Sequence, residues 1–264
     1  MRRLFFTALA ISGLGGTEAA ETAMTAGQIG MVERVESITI PMPGEFFTAM
    51  GKLNRPDWKK FLRGETPVST ASRAQIALAL GTLVADGYIA VEAQDGQGVK
   101  NIGKEIINLA KKLNVSQSVL GRGNSLNDFA ENNDWSALRE ELEATQNEVK
   151  LDMENQKDGS LVTLVTLGAW IRGMEIVSGF VAENYTPESA RLLHQPAIIE
   201  YLLAQMTALP ESLQKEPLVA DIHATLEKCR AEVEPETPSL ENLTALSEAM
   251  VRMVTEITQS PSAP

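Results

Sequence analysis

The chain has 264 residues, 44% hydrophobic and only 5% aromatic, with a formal charge of −12. That length supports one large core or two small ones, and the acidity argues against nucleic acid and anionic membrane surfaces as partners. Cys229 is the single cysteine, which excludes an internal disulfide and leaves stability to the packing of Leu, Ile, Val, Ala and Met.

Residues 1–19 read as a signal peptide. Arg2 and Arg3 precede an apolar run over 4–14, and Thr17-Glu18-Ala19 offers a cleavage site. The expected location is therefore periplasmic or extracellular. Cleavage removes two positive charges and one negative charge, taking the net charge from −12 to −13. Residues 20–42 are expected to form an extended leader, with strand-like alternation over 31–40 ended by Pro41 and Pro43.

A helical bundle is expected over 43–233. Prolines at first helical positions predict short helices over 43–53 and 56–63, and Phe46, Phe47, Trp58 and Phe61 make an aromatic cap. Ser69 or Thr70 caps a long helix to about Gln94. Its small or polar stripe runs through Gln75, Ala79, Thr82, Asp86, Ala90 and Ala93. Asp95-Gly96-Gln97-Gly98 breaks it, and an amphipathic helix follows over 99–114 with Lys100, Lys104, Lys111 and Lys112 outside. Residues 115–133 are polar and interrupted by Gly121-Arg122-Gly123, which predicts one or two short turns. Asp134 caps a helix to about Gln156, with Leu138, Leu142, Val149 and Met153 inside and Glu140, Glu141, Glu143 and Glu148 on an acidic face.

Residues 161–181 are the expected central helix. They hold only two formal charges, Arg172 and Glu175, and three glycines, Gly168, Gly173 and Gly179. A helix apolar on almost every side belongs in a core. At 100° per residue Gly168, Arg172, Glu175 and Gly179 share one stripe. Leu80-Gly81-Thr82-Leu83-Val84 is weakly similar to Leu167-Gly168-Ala169-Trp170-Ile171, a pattern open to duplication or chance. Thr186-Pro187 starts a further helix that Pro196 interrupts, and another helix spans 218–232. Residues 234–238 form an acidic, proline-rich hinge, 239–258 a final amphipathic helix, and 259–264 a disordered tail.

The fold class is therefore all-α, a multi-helix bundle built around two central Gly/Ala-rich helices. The unusual polar groups are Asp86, Arg172 and Glu175, each set in an apolar helix. Buried charges persist only when paired, so Arg172 is expected to bridge Glu175 and Asp86, in a structural role. His194 and His223 lack any metal-ligand spacing, and no catalytic or cofactor motif occurs, so no catalytic, metal or cofactor-binding residue is assigned. The favoured function is a non-enzymatic protein- or small-ligand-binding module of the cell envelope, with no stable membrane span after signal cleavage. Alternatives are an enzyme using carboxylates and Arg172 from separate helices, or a helical carrier of a small ligand.

Overall fold

The structure, a computed structural model, describes residues 43–53, 56–64 and 72–259, with the backbone alone at 53 and 117–119. Contacts divide the chain into Met1–Ser37 and Ile38–Pro264, and every described residue lies in the second unit. The expected signal peptide, extended leader and the tail beyond 259 fall outside the described residues. Those that are described form an all-α multi-helix bundle with no strand among them.

The helices are α1 (Pro43–Leu53), α2 (Arg73–Glu92), α3 (Gly96–Lys112), α4 (Gln117–Glu131), α5 (Trp135–Asn155), α6 (Gly159–Glu183), α7 (Pro187–Ala190), α8 (Pro196–Thr207), α9 (Glu211–Gln214), α10 (Pro217–Val233) and α11 (Leu240–Thr258). Short 3₁₀ turns occupy Trp58–Phe61 and Arg191–Leu193.

Tight turns, three of the four with a shared device, produce the up-and-down run from α2 to α6. Gln94, Asn133 and Lys157 take positive φ values of 53°, 53° and 63°, and each is followed by an aspartate. Asp95 Oδ1 accepts the Gly98 N–H at 2.9 Å, and Asp134 Oδ1 accepts that of Ala137 at 3.1 Å. These carboxylates occupy helix N-caps, where they satisfy free backbone donors and meet the positive end of the dipole. Short turns force successive helices antiparallel, so α2 and α6 run the same way. Arg73 in the first turn of α2 accordingly pairs with Asp158, the residue before α6, at 2.9 Å.

α2 and α6 cross in van der Waals contact of their backbones. A Cβ on Gly81 would lie 2.1 Å from the carbonyl oxygen of Val165, and one on Gly168 would lie 2.1 Å from that of Leu78. The relation is reciprocal: each glycine meets the residue three before the other. The two glycines are the ones matched in the Leu-Gly-x-x-x likeness, so that pattern marks a local two-fold packing. The closest approach lies at Gly81, beside the Gln75–Ala79–Thr82–Asp86 stripe expected to make it.

Both helices are long and apolar enough to cross a membrane, with mean hydropathies of 1.6 and 1.4 over their best windows. Those windows are 94% and 72% buried by the rest of the protein. α11 covers the outer side of the pair. Ser247 meets Gly179, and the Gln75 carboxamide donates to the Ile257 and Gln259 carbonyls at 3.1 and 2.8 Å, closing the C-terminal end of α11. Leu243, Leu246, Met250, Met253 and Ile257 are fully enclosed, each contributing about 1.5–3 kcal/mol by transfer from water.

Several local expectations are corrected. Within 56–63 the structure has only a 3₁₀ turn, Trp58–Phe61, instead of an α-helix. Ser72 is the N-cap of α2, its side chain accepting from Gln75 N at 3.2 Å. Residues 117–131 are one continuous helix, not short turns. Each glycine costs a helix about 1 kcal/mol, yet Gly123 lets Ile107 of α3 pack at 3.2 Å from where its Cβ would be, and Leu126 and Ala130 are buried. Packing outweighs propensity here.

Candidate functional site

Asp86 of α2 and Arg172 and Glu175 of α6 meet just beyond the glycine crossing. Arg172 Nε donates to Asp86 Oδ1 at 2.8 Å, and Nη1 lies 2.8 Å from Glu175 Oε2 in an ion pair off the ideal hydrogen-bond line. Nη2 donates to the Phe61 carbonyl at 2.7 Å. All three guanidinium nitrogens are thus engaged. Burial alone would lower the Arg172 pKa, but the Asp86 and Glu175 charges more than reverse this and leave it raised.

A fourth member, Arg63, is absent from the sequence-based set. It follows the 3₁₀ turn, donates Nε to Asp86 Oδ1 at 3.3 Å and pairs with Oδ2 through Nη2. Nothing in the sequence marked it, because it sits in an irregular segment without periodicity. Two arginines and two carboxylates cancel, and side-chain exposure grades from 2% at Arg172 to 20% at Arg63. Physically the cluster is a clasp: Asp86 and Arg172 hold the segment Trp58–Phe61 and the residues after it against the bundle. Edge-to-face contacts from Phe47 to Trp58 at 5.3 Å, Trp58 to Phe61 at 6.1 Å and Phe61 to Phe180 at 6.5 Å fasten the other side of that segment. The aromatic cap is therefore a seal.

Arg63 and Asp86 also form one end of a cleft of about 610 Å³. Leu62, Leu83 and Ile102 give it apolar walls, and Gln97, Asn101 and Asn108 of α3 give it an amide-rich one. Gln97 Nε2 donates to Asn101 Oδ1 at 2.8 Å, and Asn108 Nδ2 to Glu105 Oε2 at 3.3 Å, which orders that wall. These amides recur at helical spacing on the polar face of α3, but only the fold brings them opposite Arg63.

Other candidate groups are accounted for separately. Lys100 pairs with Glu131 at 3.0 Å, which splits the lysine cluster of α3. Arg122 of the Gly-Arg-Gly sequence bonds Glu141 at 2.8 Å and also pairs with Glu148, so it draws together part of the acidic face of α5. His194 Nδ1 lies 3.1 Å from the Val233 carbonyl, and burial pushes the Cys229 thiol up to about 11. His223 and Cys229 lie on different faces of α10, being six residues apart. Among the described residues no group of His, Cys, Asp and Glu is arranged to hold a metal ion. Comparison with protein-family models, curated proteins and solved structures finds no match to this chain.

Proposed function

We propose that the protein is a non-enzymatic helical module that binds a small, neutral, hydroxyl-bearing ligand in the Arg63–Asp86 cleft. The observation that carries this reading is the convergence of a satisfied ion cluster and an ordered amide wall on one cavity of about 610 Å³. Ligand sites combine apolar surface with a few placed polar groups. Amides offer donors and acceptors together, while the charges of Arg63 and Asp86 are already spent on each other. That pairing takes Arg63 and Asp86 out of acid–base work; of the other charged residues lining the cleft, Asp95 caps α3, Glu105 accepts from Asn108, and Lys104 completes the wall.

A protein-docking role has less support. The large exposed hydrophobics among the described residues are Leu151 on α5 and Leu240 and Val251 on α11. The latter two stand eleven residues apart, about 16 Å along the helix. Export to the cell envelope is part of the proposal and rests on Arg2, Arg3 and the apolar run over 4–14.

The test is thermal-shift screening of the full chain with a panel of monosaccharides, amino acids and nucleosides at millimolar concentrations. A hydroxyl-rich class is expected to raise Tm in a concentration-dependent way. At a hundred times Kd the stabilisation is about 2.7 kcal/mol, or roughly 5–10 °C for a chain of this size. Asn101→Leu should abolish the shift, since it removes an amide and fills the cleft. A flat response across the whole panel, or a shift that survives Asn101→Leu, refutes the site.

A further inference from the structure

Tyr88 lies two residues beyond Asp86 and so faces the opposite side of α2. There it closes a second cleft, of about 600 Å³, that shares no lining residue with the first. α1 supplies Gly44 and Lys52 to its walls, and α5 supplies Arg139 and Glu143. The tyrosine is only 3% exposed. Gly44 permits this placement: a Cβ there would lie 3.0 Å from Tyr88 Cε1, so the ring rests on bare helix backbone.

The hydroxyl of so deeply set a phenol is ordinarily hydrogen-bonded, yet this one has no hydrogen-bond partner among the described residues. The charges that act on it most, Glu143, then Arg139, then Glu45, line the same cleft as Tyr88 itself. Burial first, and Glu143 second, push its pKa up, so the phenol stays neutral. Arg139 is shared with Glu92, which accepts from its Nε at 3.2 Å and Nη2 at 2.6 Å. Glu143, in contrast, makes no ion pair or hydrogen bond among the described residues. A neutral phenol oxygen beside an uncommitted carboxylate, with apolar surface from Ala49 and Leu192, accepts hydrogen bonds and balances positive charge.

We propose that this second cleft binds an organic ammonium, its charged head held between the Tyr88 oxygen and the Glu143 carboxylate and its aliphatic body packed on Ala49 and Leu192. The ammonium N–H groups donate to both oxygens. Of the two cations lining the cleft, Arg139 is held by Glu92 and Lys52 is an exposed residue, so an anion beside Tyr88 would have to meet the Glu143 carboxylate, and a neutral apolar molecule would leave the phenol unpaired.

Isothermal titration of the full chain with hexylamine and with hexan-1-ol, at 0.15 M salt, tests the assignment. Hexylamine is expected to bind saturably at one site, at least tenfold more tightly than the alcohol. Glu143→Gln and Tyr88→Phe should each weaken it fivefold or more, whereas Glu188→Gln, a surface acid outside the cleft, should not change it. Equal binding of amine and alcohol, no saturable amine binding, or equal weakening by Glu188→Gln overturns the proposal. The amine–alcohol comparison on the unmodified chain stands even if a variant fails to fold. Because the two clefts share no residue, Asn101→Leu leaves hexylamine binding unchanged.

Discussion

Gly168→Ala is the sharpest probe of the architecture. The added methyl would sit 2.1 Å from the Leu78 carbonyl oxygen, 2.9 Å from its carbon and 3.0 Å from Leu78 Cα. All three atoms are backbone, so no rotamer change relieves the clash. Ordinary carbon contacts lie at about 3.5–4.0 Å, so α2 and α6 must part by about 1 Å, a gap that forfeits a quarter to a half of each affected dispersion contact. Overpacking of this kind costs about 3 kcal/mol or more. Alanine returns about 1 kcal/mol of helix propensity, leaving a net loss of about 2 kcal/mol or more. For a chain of this length the melting temperature should fall by roughly 4–8 °C. Gly121→Ala in α4 is the matched control. It has no atom within 4 Å of the new methyl, keeps only the propensity gain, and should melt about 2–4 °C higher. Thermal melts followed by circular dichroism, with urea midpoints, measure both. The double variant Gly81→Ala/Gly168→Ala should lose less than the sum of its parts, because helices already parted admit the second methyl cheaply. A Gly168→Ala chain as stable as the parent would refute the backbone crossing.

Three further outcomes follow from the polar groups. Arg172→Met leaves Glu175 without its cation and frees the Phe61 carbonyl, and should lower the urea-derived stability by about 3–5 kcal/mol, the range for breaking a buried pair; Arg172→Lys should not rescue it, since one ammonium cannot span the three partners. Cys229 should resist a thiol reagent at pH 8 in the native protein and react fully in urea, because burial pushes its pKa up to about 11; rapid native labelling would contradict its enclosure. Burial, then a hydrogen bond and charge contact with Asp221, raise the Glu256 pKa above the ordinary 4.5. An acid whose pKa is raised on folding contributes most below its unfolded value and loses that contribution as pH rises through the folded value. Glu256→Gln should therefore melt slightly higher than the parent at pH 7.5, by about 1–2 °C given the site's solvent screening, with the difference vanishing near pH 4; a difference that grows on acidification would reverse the sign.

The parts of this fold legible in the sequence are those written in one helix at a time. Residues 161–181 carry two charges in an apolar run, and desolvation demands a partner; Asp86 is the other charge set in such a run, so their approach could be read off. Gly81 and Gly168 appeared as a faint likeness, but which faces they present depends on the crossing, and the expected stripe through Ala79 and Thr82 missed it by one position. α4 was misread because Gly121 and Gly123 act as breakers in isolation, whereas in the fold the helix is held by packing and Gly123 is a close-packing site against α3. Arg63, the α3 amides and Tyr88 were illegible as site residues for one reason. Each cleft is assembled from elements distant in the chain, and no local period records that meeting.

The hydrogen bonds from Gln75 to the end of α11 join residues 184 positions apart. Synthesis at about 5–20 residues per second therefore separates the two partners by roughly 10–35 s. During that interval α2, with almost no polar face, has emerged without α6 and then without α11 to cover it. Non-local closure of this kind makes folding slow relative to helical hairpins. The nascent chain thus passes through a long stage in which its greasiest helix is available to holdase chaperones, and only the last helix ends that stage.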